Sequence, residues 1–152
     1  MQLFLIRHGK AEPTAASDRA RRLTGGGRKS VERVARRLKR ADIQVDLVLC
    51  STLTRARQTA EILSESLSAP LEEVDWLGPS DDVSGAERLV AHRGEQSIML
   101  VGHLPFMQYM ASYLLTRDPA GVSIHFSTGA AACFSSDGGS WQLDWLLTPD
   151  VS

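Results

Sequence analysis

Two histidines in this chain each come directly after a run of apolar residues. His8 follows the apolar run at residues 3–6 and stands next to Arg7, while His103 follows the run at residues 98–101. If both runs are parallel strands, the two imidazoles meet at the carboxyl edge of one sheet. Open α/β sheets place their ligands at that edge.

Two arginines are expected at the same edge. A third apolar run, residues 47–50, leads into Ser51, and Arg55 follows within one helical turn. Arg7 stands beside His8 at the end of the first run. A neutral imidazole can attack phosphorus, and a guanidinium offers a planar fork of donors to phosphate oxygens. A second histidine can donate to the transferring group as its charge develops. The set therefore predicts phosphoryl transfer.

A metal site is not favoured by these residues. Arg7 and Arg55 would place fixed positive charge beside an ion bound at His8, which has no close-spaced acidic or thiolate partner. We predict no metal and no cofactor. No other candidate reactive residue is expected beside His92 or His125, so we assign these histidines no catalytic role.

Two other kinds of phosphate or acyl chemistry are weaker alternatives. Ser51 could serve as a hydrolase nucleophile, but the G-x-S-x-G elbow is absent. The glycines at residues 25–27 could cradle a phosphate, but the lysine of a P-loop is missing.

The periodicity predicts alternating strands and helices, with strands at the end of the chain. Helices are predicted at residues 28–40, 53–67, 84–92 and 104–115, and strands at 2–7, 45–50, 97–101, 122–126, 130–134 and 141–147. Alternating apolar residues from Trp141 to Leu147 predict one buried face for the last strand. The order indicates an α/β fold, a mostly parallel sheet with helices on both faces. We predict a single domain over residues 1–152.

The composition is that of an ordinary globular protein. The chain has 152 residues, 43% hydrophobic and 23% charged. No apolar run approaches the ~20 residues of a membrane span, and the amino terminus does not resemble a signal peptide. Cys50 and Cys133 lie in apolar runs, which favours buried free thiols in a reducing compartment. We predict a cytoplasmic protein without a membrane partner.

Charge is distributed unevenly along the chain. Residues 1–60 hold 14 Lys or Arg against 5 Asp or Glu, whereas residues 61–152 hold 3 against 13. A basic half can mark a nucleic-acid surface. The basic residues here are not interleaved with aromatic ones, as a base-stacking platform requires. We therefore predict a solvated basic helix face beside an anion-binding crevice, and no nucleic-acid partner.

Three motifs in order resemble those of the histidine phosphatase superfamily. They are Arg7-His8-Gly9, the segment S-T-L-T-R-A-R-Q-T-A at residues 51–60, and V-G-H-L-P at residues 101–105. Within the superfamily the chain is most similar to SixA-type phosphohistidine phosphatases over nearly its whole length. The resemblance implies a phosphoglycerate mutase-like three-layer sandwich without a cap insertion.

The resemblance also implies a role for each candidate residue. His8 would be the nucleophile that becomes phosphorylated. The groups that bind the phosphoryl oxygens and stabilise the transition state would be Arg7, Arg55 and His103. Asp18 and Arg21 would line the mouth of the pocket.

The substrate suggested by the resemblance is phosphohistidine on a protein of a phosphorelay. Larger relatives carry a general-acid glutamate after the second helix, where this chain has residues 76–82 and no room for a cap. A phosphoramidate depends less than an alkyl phosphate on such an acid. The alternatives are a phosphatase of small phosphoesters, with Asp18, Asp81 or Asp82 as acid, and a non-catalytic phosphoprotein-binding module.

Overall fold

Alternating strands and helices build one mixed sheet in the computed structural model, which describes residues 1–151. The strands are β1 (Gln2–Arg7), β2 (Leu47–Cys50), β3 (Leu71–Glu73), β4 (Ser97–Gly102), β5 (Ala131–Ser136) and β6 (Trp141–Leu147). The helices are α1 (Gly25–Arg40), α2 (Thr54–Leu67), α3 (Val83–Ala91) and α4 (Phe106–Thr116), followed by a 3₁₀ turn at Pro149–Val151. Apart from one predicted strand, the predicted boundaries lie within three residues of these.

The sheet is mostly parallel, as predicted. Its order is β3-β2-β4-β1-β5-β6, in which β1 to β4 run parallel, β5 pairs antiparallel with β1, and β6 pairs antiparallel with β5. β1 and β4 lie side by side, and Arg7 pairs with Gly102 at their ends. The residues that directly follow these two strands therefore lie close together at the same edge of the sheet.

Strand residues alternate between two cores, one on each face of the sheet. Leu3 and Leu5 of β1 pack with α3 and α4, whereas Phe4 and Ile6 pack with α1 and α2. The strands β2 and β4 alternate in the same way. Burial on both faces explains why these strands are continuous apolar runs rather than alternating ones.

Helix α1 begins three residues earlier than predicted, at Gly25. Thr24 caps the helix, because its side-chain oxygen accepts a hydrogen bond from the Gly27 N–H at 2.8 Å. Thr24 also donates its own N–H to the carbonyl of Lys10 at 2.9 Å. A side chain at Gly27 would collide with that same Lys10 carbonyl. The first turn of α1 is thus packed directly against the segment that follows β1.

The strand predicted at residues 122–126 is wrong, because this segment is an irregular loop. Val122, Ile124 and Phe126 alternate with polar residues, which mimics a strand. The place beside β1 is taken by β5, so residues 122–126 have no strand to pair with. Val122 instead donates its N–H to the hydroxyl of Ser112 in α4.

The prediction that one face of β6 is buried is also wrong. A register shift between Cys133 and Phe134 leaves Asp144 as an extra residue in β6. The extra residue reverses the alternation, so Trp141 packs against the core of α3 and α4, while Trp145 packs against the core of α1 and α2.

Both cysteines are free and buried, as the sequence predicts. Burial raises the pKa of each thiol to about 12. Within residues 1–151, no helix combines the length and the apolar character that crossing a membrane demands.

The contact between α1 and Lys10 predicts how stability responds to added methyl groups. We expect Gly27→Ala to lower the free energy of unfolding by about 1–3 kcal/mol, because its Cβ would displace backbone. Gly26→Ala is the matched control, since the nearest atom to its Cβ is the Thr24 hydroxyl oxygen at 3.9 Å. Urea unfolding followed by tryptophan fluorescence measures both. Equal effects of the two variants would contradict the packing described.

Candidate active site

Two imidazoles face one another at the carboxyl edge of the sheet. His8 and His103 follow the paired ends of β1 and β4, and the His8 N–H donates to the Gly102 carbonyl at 2.9 Å. The centroids of their rings are 5.1 Å apart. Both side chains are largely buried, with His8 9% and His103 2% exposed. The sequence prediction that these histidines meet is therefore confirmed.

One ring nitrogen of His8 is bound to the backbone. Nδ1 lies 2.7 Å from the carbonyl oxygen of Gly9. A carbonyl oxygen can only accept, so Nδ1 must carry the hydrogen in this bond. When the ring is neutral, Nε2 then holds a lone pair. The local backbone thus selects the tautomer that presents Nε2 as a nucleophile.

Thr59 of α2 fixes the position of Gly9. Its hydroxyl oxygen accepts the Gly9 N–H at 3.0 Å and donates to the carbonyl of Arg55 at 2.8 Å. Thr59 is fully buried. We did not predict this role from the sequence. The signal was available, because Thr59 follows Arg55 by one helical turn and so lies on the same side of α2.

Ser51 orients the second histidine. Its hydroxyl oxygen lies 2.8 Å from Nε2 of His103 and accepts the N–H of Leu53 at 3.2 Å. Nδ1 of His103 is buried and has no hydrogen-bond partner within residues 1–151. The ring is therefore held through one nitrogen while the other is left for a further partner.

Both predicted arginines lie beside the histidine pair. Arg7 donates from Nη1 to the carbonyl of Phe126 at 2.9 Å, so the loop at residues 122–126 anchors it. Its buried Nε has no hydrogen-bond partner in the described part of the chain. Arg55 lies in the first turn of α2 and is 6% exposed. The charges of both arginines oppose protonation of His8.

Asp18 and Arg21 lie at the edge of this group. Arg55 donates from Nη1 to the Asp18 carbonyl at 2.9 Å and from Nη2 to its carboxylate at 3.3 Å. Arg21 donates to the other carboxylate oxygen at 3.0 Å. Asp18 has a 65% exposed side chain and so bridges the buried arginine and solvent. The structure brings all six predicted site residues together.

Burial and neighbouring positive charge keep both histidines neutral. Desolvation, helped by the charges of Arg55 and Arg7, lowers the pKa of His8 to about 4. Desolvation, helped by the proximity of His8 and Arg55, lowers the pKa of His103 to about 3. Neutral imidazole is the form that can act as a nucleophile.

The carboxyl groups considered as proton donors are held as acceptors. The hydrogen bond from Arg21 lowers the pKa of Asp18, and the nearby charge of Arg55 lowers it further. Asp82 caps α3 and accepts hydrogen bonds from Ser84 and Gly85, which lower its pKa. Asp81 accepts the N–H of Gly78 at 2.7 Å.

Comparison with known proteins identifies relatives of this chain. The family model "Histidine phosphatase superfamily (branch 1)" matches residues 3–78. The phosphohistidine phosphatase SixA of Escherichia coli strain K12 is 32% identical over 98% of this chain and 94% of its own.

Solved structures match the fold as well. A structure of the protein histidine phosphatase SixA complexed with tungstate superposes with a TM-score of 0.88 at 31% identity, covering 99% of this chain and 98% of that chain. A putative phosphohistidine phosphatase SixA from Agrobacterium tumefaciens gives 0.84 at 29% identity, covering 97% of each chain. The predicted phosphoglycerate mutase-like α/β fold is confirmed.

The environment of His8 predicts how its ring titrates. We expect its NMR resonances to stay those of a neutral imidazole down to at least about pH 5, because burial and the arginines lower its pKa to about 4. The same resonances in the urea-unfolded chain are the control and should titrate near ~6.5. A midpoint near that unfolded value in the folded protein would contradict the account.

Proposed function

The chain belongs to the histidine phosphatase superfamily and is a hydrolase of that type, and we propose that it removes the phosphoryl group from phosphohistidine side chains of proteins through a covalent intermediate on His8. We also propose that residues 1–152 act as one domain, since a single sheet with a core on each face runs through the described residues.

The first step transfers the phosphoryl group to His8. Nε2 uses its lone pair to form the new P–N bond as the P–N bond to the substrate imidazole breaks. The reacting form of the substrate is the one whose ring is protonated on its other nitrogen, so the ring leaves as a neutral imidazole. Nδ1 of His8 keeps its proton throughout, because the Gly9 carbonyl accepts it at 2.7 Å.

Water completes the reaction. It attacks phosphorus, the bond to Nε2 of His8 breaks, and the protons of the water end on inorganic phosphate. His8 returns to its starting tautomer because its Nδ1 proton has never left. Neither step asks a protein side chain to protonate a leaving nitrogen.

The charge that develops on the phosphoryl oxygens is matched by the groups around His8. Arg55 and Arg7 offer planar guanidinium groups, which suit the equatorial oxygens of a phosphoryl group in transfer. Arg7 Nε and His103 Nδ1 are buried polar atoms without a partner within residues 1–151. A bound phosphoryl group would give both atoms a hydrogen-bond acceptor, since a buried polar group without a partner costs free energy.

The choice of phosphohistidine rests on one observation, the ionised state of two carboxyl groups that were considered as proton donors. An alkoxide leaves poorly unless an acid protonates it. Asp18 and Asp82 have lowered pKa values and so are ionised near neutral pH. The names of the SixA relatives, phosphohistidine phosphatases, support the same substrate class.

The rival functions have less support. A serine hydrolase is disfavoured because Ser51 is 1% exposed and its oxygen already accepts the Leu53 N–H. A protein that only bound phosphate would not need a neutral His8 whose tautomer leaves the Nε2 lone pair available for attack. A phosphatase of small phosphoesters uses the same residues and differs in its leaving group, so only kinetics separates it.

The nucleophile assignment predicts the behaviour of His8→Ala. We expect turnover to be abolished and acid-labile label from a phosphorylated substrate to disappear from the protein, with unfolding still cooperative. His92→Ala is the matched control, because His92 is exposed at the end of α3. Label that persists on the His8 variant would exclude His8 as the nucleophile.

The bidentate role of Arg55 predicts that lysine cannot replace it. Arg55→Ala should remove about 2–4 kcal/mol of transition-state stabilisation, and Arg55→Lys should recover only part of this, because an ammonium is a point donor. Arg57→Lys on the same helix is the control, since its partners are the exposed Glu61 and Glu73. An unchanged kcat for Arg55→Lys would show that charge alone is needed.

A substrate comparison tests the proposed function directly. We expect kcat/KM for a histidine-phosphorylated protein domain to exceed that for phosphoglycerate, phosphoglycolate and sugar phosphates. The assay contains excess EDTA, because the proposed positive charge comes from side chains. Asp18→Asn should affect both substrate classes alike. A small phosphoester that is at least as good a substrate, with Asp18→Asn selectively damaging it, would refute the proposal.

A further inference from the structure

One side of helix α1 is covered by positive charge, and we propose that it docks an acidic surface of the phosphoprotein substrate. This inference rests on the proposed function and names the kind of partner that the site receives. We call the surface the α1 cationic face. Its members are Arg28, Lys29, Arg33, Arg36, Arg37, Lys39 and Arg40.

These side chains are free of acidic partners in the described part of the chain. All seven are exposed, and none lies within ion-pair distance of a carboxylate. Several exposed cations elsewhere in the protein are paired, as Arg93 with Glu72 and Arg117 with Glu87. Glu32 is a carboxylate on the same side of α1, but it makes no ion pair within residues 1–151, so the α1 cationic face keeps a large net positive charge for a partner.

Part of the charge pattern works against the stability of the helix, although the cations of the last turn, Arg37, Lys39 and Arg40, lie at the favourable end of its dipole. Lys29 and Arg33, Arg33 and Arg37, and Arg36 and Arg40 are like charges four residues apart, which repel. The first turn contains no acidic residue, and Arg28 and Lys29 lie near the positive end of the helix dipole. Packing of α1 uses its other side, so the fold does not require these cations.

The face starts beside the catalytic loop. The helix begins where Thr24 donates to the carbonyl of Lys10, two residues after His8. Lys10 and Arg22 are exposed and also lack an ion pair within residues 1–151, so they continue the positive surface towards the site. Arg36 lies about 18 Å along the helix from Thr24, at 1.5 Å per residue. Helix α1 joins the parallel strands β1 and β2, so it runs from this edge back along the sheet. A protein domain bound at His8 therefore meets the first turns of α1, and an acidic segment beside the phosphohistidine can extend along the rest.

The positive charge of the α1 cationic face and the absence of aromatic residues from α1 indicate the kind of partner. A two-fold dimer formed through this face would bring two positive surfaces together, which repel. Helix α1 contains no aromatic residue on which bases could stack, which argues against single-stranded nucleic acid. Carboxylates around the phosphohistidine complement the face, speed association and set orientation.

Two phosphorylated peptides test this inference. One carries phosphohistidine with Glu-rich segments of about eight residues on each side, long enough at about 3.3 Å per residue to reach Arg36. The other has Gln in place of every Glu. Free phosphohistidine, which is too small to reach α1, reports the chemistry alone.

The variant changes the face without touching the site. Arg33→Glu, Arg36→Gln and Arg40→Gln are combined in one chain. The carboxylate introduced at position 33 can pair with Lys29 and Arg37, and the neutral amides at positions 36 and 40 place no new like charge beside Glu32. Arg88→Glu is the matched control, because Arg88 is an exposed cation on α3, on the opposite side of the sheet.

We expect the wild type to prefer the Glu peptide by on the order of tenfold in kcat/KM through a lower KM, with the preference shrinking as salt rises. The triple variant should lose this preference and keep its kcat/KM for free phosphohistidine. Arg88→Glu should behave as the wild type.

Other outcomes separate the docking surface from the function. Equal kcat/KM for the two peptides, or a preference that survives in the triple variant, would overturn docking and leave the proposed function standing. Hydrolysis of small phosphoesters but of no phosphohistidine substrate would overturn both. Binding of a DNA duplex that only the triple variant loses, with peptide kinetics unchanged, would assign the face to nucleic acid and refute the inference.

Discussion

The hydrogen bond from Nδ1 of His8 to the Gly9 carbonyl is the interaction on which the site depends. It joins neighbouring residues, so its geometry is set by the backbone between them, and that backbone is held from two sides. Thr59 binds the Gly9 N–H from α2, and the first turn of α1 packs against the same segment at Gly27. Contacts from the sheet, from α1 and α2 and from the loop after β1 thus together determine which ring nitrogen of His8 carries the hydrogen.

Keeping that imidazole neutral has a thermodynamic consequence. Burial and the positive charges of Arg55 and Arg7 lower the pKa of His8 to about 4, below the ~6.5 of the unfolded chain. Between these values the unfolded state binds the proton and the folded state does not. The contribution of His8 to the free energy of unfolding is therefore complete at pH values above the unfolded pKa. It declines as the pH falls towards the folded pKa. Asp18, which lies across the exposed edge of Arg55, offsets part of the repulsion within the site.

The sequence was most informative about the centre of the fold and least informative about its edge. Strands β1, β2 and β4 were predictable because burial on both faces requires continuous apolar runs, and their ends then had to meet. Residues 122–126 have strand-like alternation but no neighbour to pair with, and the extra residue Asp144 reverses the alternation of β6. Pairing and bulges depend on distant segments, so local pattern cannot reveal them.

The same distinction holds within the site. His8, His103, Arg7 and Arg55 were predictable because their chemistry is visible in their residue types and their positions follow from strand ends. Helix spacing places Thr59 beside Arg55, but the hydrogen-bond partners of Thr59 and Ser51 were not predictable, since a buried hydroxyl acts through whichever backbone or ring nitrogen lies beside it. Such contacts between helix and loop are fixed only when the whole domain has packed.

The measurement that most directly tests the central claim is the identity of the phosphorylated nitrogen in the intermediate. The phosphoenzyme is formed with a phosphohistidine substrate, trapped by rapid denaturation in base, and its phosphohistidine isomer is determined by ³¹P and ¹⁵N NMR. The account predicts that phosphorus is bonded to Nε2 of His8, because the Gly9 carbonyl keeps the hydrogen on Nδ1. Phosphorylation at Nδ1, or on a residue other than His8, would contradict it.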